Sequence, residues 1–98
     1  LAVCLAAGLD GIRRKVLPPE PVTENIFEMS DREKADRGIS MLPSDLGEAV
    51  SALEQDSFLR NILGETFASQ YIEARKQEWA EYIPQVSSWE IERYLHRI

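Results

Sequence analysis

A single cysteine, Cys4, and a single histidine, His96, stand at opposite ends of a 98-residue chain. A thiol–imidazole nucleophilic pair would need the fold to bring them together. Cys4 lies inside the continuous apolar run LAVCLAAGLDGI, where a thiol is ordinarily a small packed hydrophobe without reactivity. His96 adjoins Arg97 close to the terminus and is expected on the surface. A zinc site needs several Cys or His ligands, which this inventory does not offer. Gly8 and Gly11 lack the first-turn pattern of a phosphate-binding loop and fall within a helix, not between strand and helix. Paired carboxylates such as Glu73 and Glu78, or Glu90 and Glu92, have helical spacing, and carboxylates so spaced are ordinarily solvated. Arg75 precedes Glu78 by three residues, which favours an intrahelical ion pair. No catalytic, cofactor-binding or metal-binding residue is therefore assigned from residue types.

The elements that would position these groups are helical. No stretch shows period-2 alternation, and four or five helices plus one irregular segment account for the chain, an all-α class. The first helix covers residues 1–14 and is apolar nearly all round, the pattern of a helix buried on most sides. Gly8 and Gly11 weaken it but would permit close approach of a neighbour. Residues 16–43 form a Pro-rich irregular segment opened by Leu17-Pro18-Pro19-Glu20-Pro21, whose prolines enforce extended backbone. Within it SDREKADR is expected to make one exposed turn, capped by Ser30 and Glu33 and stopped by Gly38. Residues 44–98 form a helical tail. Ser44 or Asp45 caps a helix with an apolar face of Leu46, Ala49, Val50 and Leu53, and Asp56 or Ser57 caps a short one with Phe58, Leu59, Ile62 and Leu63, closed by Gly64. The longest runs from Glu65 to about Ile83 with Phe67, Tyr71, Ala74 or Arg75, Trp79 and Tyr82 as its stripe, ended by Pro84. Ser87 opens a last helix in a capping box with Glu90, carrying Trp89, Ile91, Tyr94, Leu95 and Ile98 as its apolar face.

Composition narrows the function further. Eleven Lys and Arg against 17 Asp and Glu give a net charge of −6, which leaves no surplus of cations to replace phosphate counterions and argues against nucleic acid. Residues 43–98 hold 5 basic and 10 acidic residues, so the acidic excess sits on the helical half. One cysteine cannot form an internal disulfide, which fits a reducing, cytoplasmic compartment. The apolar run at the start is shorter than the roughly 20 residues that span a bilayer, and its positive charges follow it instead of preceding it as in a signal peptide. With no initiating Met, it reads as a buried helix entered from upstream, so the chain is expected to be a piece of a longer protein. Trp79, Tyr82, Trp89 and Tyr94 crowd into the C-terminal residues with little chain left to fold against, which points to docking on another subunit. On residues alone, the best reading is a noncatalytic helical interaction domain.

The order of the segments LAVCLAAGLDGI, PVTENIFEMSDREK, GISMLPSDLGEAV, ILGETF, YIEARKQEW and QVSSWEIERYL resembles the C-terminal part of bacterial type I glutamine synthetase over essentially the whole chain. The resemblance implies a parent enzyme that joins ammonia to glutamate through γ-glutamyl phosphate, using ATP and Mg²⁺. It further implies subunits in two stacked rings. The family's metal-binding, ATP-binding and phosphate-contacting residues correspond to sequence upstream of Leu1, so the 98 residues alone are expected to be inactive and to hold no cofactor.

Two positions follow from the resemblance residue by residue. Asn25-Ile26-Phe27 matches the Asn-Leu-Tyr site whose tyrosine is adenylylated in some members, and Phe27 has no hydroxyl to modify. The chain thus resembles the subgroup governed by feedback and partner proteins. Glu78, in the Glu78-Trp79 pair, matches an acid linked to glutamine feedback at an intersubunit site, with its arginine partner upstream of Leu1. The last helix matches a segment that contacts the opposite ring and is a proposed place of engagement for regulatory proteins, which assigns Trp89, Tyr94 and Leu95 to an interface. The alternatives are a family relative that ligates another amine, and a noncatalytic helical module.

Overall fold

The computed structural model describes residues 1–97, and the chain falls into two units, Leu1–Pro43 and Ser44–Ile98. Among the described residues every regular element is helical.

In the first unit, α1 spans Ala2–Arg13 and α2 spans Asp31–Asp36, with a 3-10 turn at Ile26–Glu28 between them. Local chemistry explains both ends of α2. Ser30 Oγ accepts from the Glu33 amide at 3.2 Å, while Glu33 accepts from the Ser30 amide at 3.1 Å, which closes the expected capping box. At the other end Gly38, at φ +70°, turns the chain so that the Ile39 and Gly38 amides reach the carbonyls of Lys34 and Ala35. Helix α1 ends the same way, with Lys15 in the left-handed position that glycine ordinarily fills. The exposed turn expected at SDREKADR is thus a complete short helix, which raises the count among the described residues to six α-helices.

No residue of this unit is buried. The expectation that α1 is enclosed on most sides is not met within the unit: Leu1, Leu5, Leu9 and Ile12 are exposed, as is Cys4. Space around Gly8 and Gly11 is open.

The second unit contains α3 (Leu46–Gln55), α4 (Ser57–Leu63), α5 (Glu65–Tyr82) and α6 (Ser88–Tyr94), followed by a 3-10 turn at Leu95–Arg97. Helices α3, α4 and α5 pack on one another around Val50, Ala68 and Ile72. The face expected for α3 is the one that turns inward, with Val50 buried and Leu46, Ala49 and Leu53 partly so. On α4, Leu59 and Leu63 are partly covered while Phe58 and Ile62 stay exposed. On the first half of α5 the expected stripe is displaced by one residue, while further along Trp79 faces α3 as expected. Ala68 and Ile72 face the core, whereas Phe67 and Tyr71 stack on each other at 6.0 Å along the exposed side. Ala68 has no accessible surface at all, since its small side chain lets the neighbouring helices approach closely. Two ionic clips join the helices: Lys76 donates to Glu54 at 2.7 Å, and Arg60 reaches both the Glu54 carbonyl and the Glu65 carboxylate.

Helix α6 opens at Ser87, whose Oγ accepts from the Glu90 amide at 3.2 Å, and Glu90 accepts from the Ser87 amide at 2.8 Å. It shares no core with α3–α5. Glu90 at α6, and Glu48 at α3, are held below the ordinary carboxylate value of 4.5, chiefly by the backbone amides of Ser87 and Ser44 respectively. A lowered folded-state pKa means that these contacts support their helices above that value and are lost as pH falls through it. Helicity by circular dichroism should therefore be flat down to about pH 5 and decline on further acidification. Glu90→Gln, which keeps an acceptor but does not titrate, should shrink that acid limb.

Candidate functional site

Glu78 and Trp79 lie in the last third of α5, opposite the first turn of α3. That turn is firmly held. Asp45 caps it by accepting from the Glu48 amide at 2.8 Å, and Glu48 in turn accepts from both the amide and the hydroxyl of Ser44 at 2.8 Å. Across from it, the Trp79 indole lies directly on Gly47: a Cβ at that position would stand 2.6 Å from Nε1 and 2.7 Å from Cε2. Trp79 also stacks on Tyr82, with ring centroids 5.8 Å apart and planes inclined by 28°. Ser44, Asp45, Leu46, Glu78, Trp79 and Tyr82 together line an open groove of about 390 Å³.

Glu78 is exposed on the groove's edge and pairs with Arg75 at 2.8 Å, the intrahelical bridge that its spacing suggests. Such an exposed i,i+3 pair is worth only a few tenths of a kcal/mol, so Glu78 is readily released to another cation. Arg75 also lies over the Tyr71 ring at 5.4 Å, while its Nε is enclosed without an acceptor. Phe67, Tyr71 and Glu78 are thus exposed along α5, with the partly buried Arg75 between Tyr71 and Glu78.

The second surface is α6. Ile91, Tyr94 and Leu95 are all exposed, and at about 100° per residue they share one side of the helix. Trp89, placed with them by its apolar character, lies further round. Its ring meets Tyr94 edge-on at 6.0 Å, and Arg93 covers it at 5.4 Å. Phe27, 98% exposed, projects from the 3-10 turn that Asn25 caps by accepting from the Phe27 amide at 3.1 Å.

The catalytic-domain family of glutamine synthetase matches residues 1–94. The glutamine synthetase of Methanosarcina mazei is 46% identical over 94 residues, covering 96% of this chain and 21% of that protein. That of Thermus thermophilus is 45% identical and that of Staphylococcus epidermidis 44% identical, each over 95 residues, 97% of this chain and 21% of the relative. The chain belongs to the glutamine synthetase catalytic-domain family. It spans about a fifth of the length of the curated relatives it matches.

Within each unit of this family member, the residues singled out from sequence lie at separate places. Glu78 edges the α3–α5 groove, whereas Tyr94 and Leu95 lie at the end of α6 and the start of the 3-10 turn after it, and Trp89 lies on another side of α6. Cys4 and His96 are both exposed and belong to different units. Among the described residues no three His, Cys, Asp or Glu side chains gather as a metal site. Among them, too, no helix is long and apolar enough to cross a membrane. Gly47 is the close packing contact beside the groove that residue patterns miss. A glycine in a helix reads only as a weak helix former, and its reason here is an indole contributed by a different helix.

Proposed function

We propose that the chain is the helical C-terminal portion of an ATP-dependent glutamate–ammonia ligase, acting in assembly and regulation while the chemistry resides elsewhere in the parent enzyme. The parent phosphorylates the γ-carboxyl of glutamate with ATP, and ammonia then displaces phosphate. ATP and Mg²⁺ are bound by residues outside these 98, in a cytoplasmic enzyme built of two stacked rings. Three parts of the chain serve that assembly: α1 as a packing helix, Trp89, Tyr94 and Leu95 as a ring contact and a surface for regulatory proteins, and Glu78 as a regulatory carboxylate at a subunit boundary. Phe27, lacking a hydroxyl, takes this chain out of control by adenylylation at that position.

The observation that carries the reading is the imbalance of burial. Three hydrophobic residues are buried among the described residues, while large apolar side chains along α1 and α6 are exposed. Contiguous apolar faces of this kind are ordinarily covered by protein. Calorimetry of the purified 98-residue chain with ATP and Mg²⁺ tests the division of labour. No binding heat and no γ-glutamyl transfer are expected. Micromolar ATP binding or measurable turnover would overturn the proposal.

A further inference from the structure

Residues 43–98 hold 5 basic side chains against 10 acidic ones, and three of the five are matched inside the helical unit: Arg60 by Glu65, Arg75 by Glu78, and Lys76 by Glu54. Arg93 and Arg97 form no ion pair among the described residues. Both are exposed, and with His96, Trp89 and Glu92 they line an open groove of about 380 Å³. Basic residues in the last turn of a helix complement its dipole, which accounts for their place in the sequence. Their direction has another cause. The Arg93 guanidinium is turned back along the helix over the Trp89 ring, 5.4 Å from its centroid, and the indole itself is more than half exposed. At about 100° per residue, Trp89 and Arg93 fall on the side of α6 opposite Ile91, Tyr94 and Leu95. A subunit that covers the apolar side therefore leaves this second side facing outward.

We propose that the side of α6 formed by Trp89, Arg93, His96 and Arg97 is a docking surface for an acidic segment of a partner protein. Two guanidinium groups and an imidazole stand there against one carboxylate, Glu92, so the complement of the groove is negative. The exposed indole beside them offers apolar contact, which suits acidic residues interleaved with aliphatic ones. A bare phosphate ion would leave that ring unused. The inference rests on the reading of α6 as a surface for regulatory proteins and adds the chemistry of the partner.

The test uses the full-length enzyme carrying this chain and a short fluorescein-labelled peptide of glutamate with leucine at every third position. Anisotropy at low salt should show it binding at least about tenfold more tightly than the same peptide with glutamine in place of glutamate. Arg93→Gln combined with Arg97→Gln should abolish that preference, while Arg93→Lys combined with Arg97→Lys, which keeps both charges, should hold it within about threefold. Glu92→Gln should tighten binding about twofold, a gain that a merely structural role would not produce. Sedimentation of the Arg93→Gln, Arg97→Gln variant should match the parent, since the ring contact lies on the other side of α6. If that variant binds the glutamate peptide as the parent does, or falls apart into smaller species, the proposal is overturned. Displacement of the peptide by an equal concentration of pyrophosphate would overturn it too, in favour of a phosphate site. Equal affinity for the two peptides, lost from both in Trp89→Ala, would keep α6 as an engagement surface and refute its acidic specificity. Binding of neither peptide would remove both readings.

Discussion

Placing aspartate at both Tyr94 and Leu95 in the full-length enzyme is expected to break its assembly into smaller species. Both side chains are more than half exposed in this chain, on the α6 side that also carries Ile91, and α6 shares no core with α3–α5. If that side is covered by a neighbouring subunit, two carboxylates would be buried there without partners. Truncating an interface anchor alone costs about 2 kcal/mol or more, about thirtyfold in dissociation constant, and two unpaired charges cost more. Sedimentation velocity should show a shift to lower mass at micromolar concentration. Trp89→Ala should act in the same direction but more weakly, through loss of the ring that meets Tyr94 edge-on. Glu92→Gln on the same helix should leave the mass unchanged. An undiminished assembly in the double aspartate variant would show that α6 packs within its own subunit.

The second large effect concerns the core of the helical tail. Ile72 is 3% exposed between α3 and α5, and only Val50 and Ala68 are buried beside it among the described residues. Ile72→Ala should cost about 2–5 kcal/mol, a large share of the roughly 5–15 kcal/mol that stabilises an ordinary domain. Ile72→Asp should prevent α3, α4 and α5 from packing altogether, because an unpaired carboxylate there has no cation within the core. Chemical denaturation followed by circular dichroism measures both. Ile62→Ala, at an exposed position on α4, should change stability by no more than about 0.5 kcal/mol. Equal losses at Ile62 and Ile72 would mean that the core has been misplaced.

Features set by nearest neighbours along the chain were legible in the sequence. The capping boxes at Ser30 and Ser87, the stop at Gly38 and the break before Pro84 follow from side chains reaching backbone groups a few residues away. Facing was harder to read. The aromatic residues Phe67 and Tyr71 suggest an inward stripe on α5, yet the helix turns Ala68 and Ile72 inward, because the closest helix–helix contact favours a small residue over a large one. Trp89 misleads similarly on α6, since an indole is large enough to contact Tyr94 from another side of the helix. The left-handed Lys15 and the Gly47–Trp79 contact left no local signal. The first is imposed by the end of α1, the second by a partner on α5. Cys4 shows a different limit: an apolar run predicts burial but does not say which surface provides it.

Cys4 also offers the most direct test of the central claim, that the apolar faces of this chain are made to be covered by other parts of the enzyme. Its thiol is exposed on α1, amid Leu1, Leu5 and Leu9, and it is the only cysteine of the 98 residues. Pulse labelling with a maleimide, read at the Cys4 peptide by mass spectrometry, can be run on the chain alone and on the assembled full-length enzyme. Rapid labelling of the chain and at least about tenfold slower labelling of the assembly are predicted, as expected where reaction must await a local opening. Equal rates in the two would contradict the account, for α1 would then be as bare in the working enzyme as it is here.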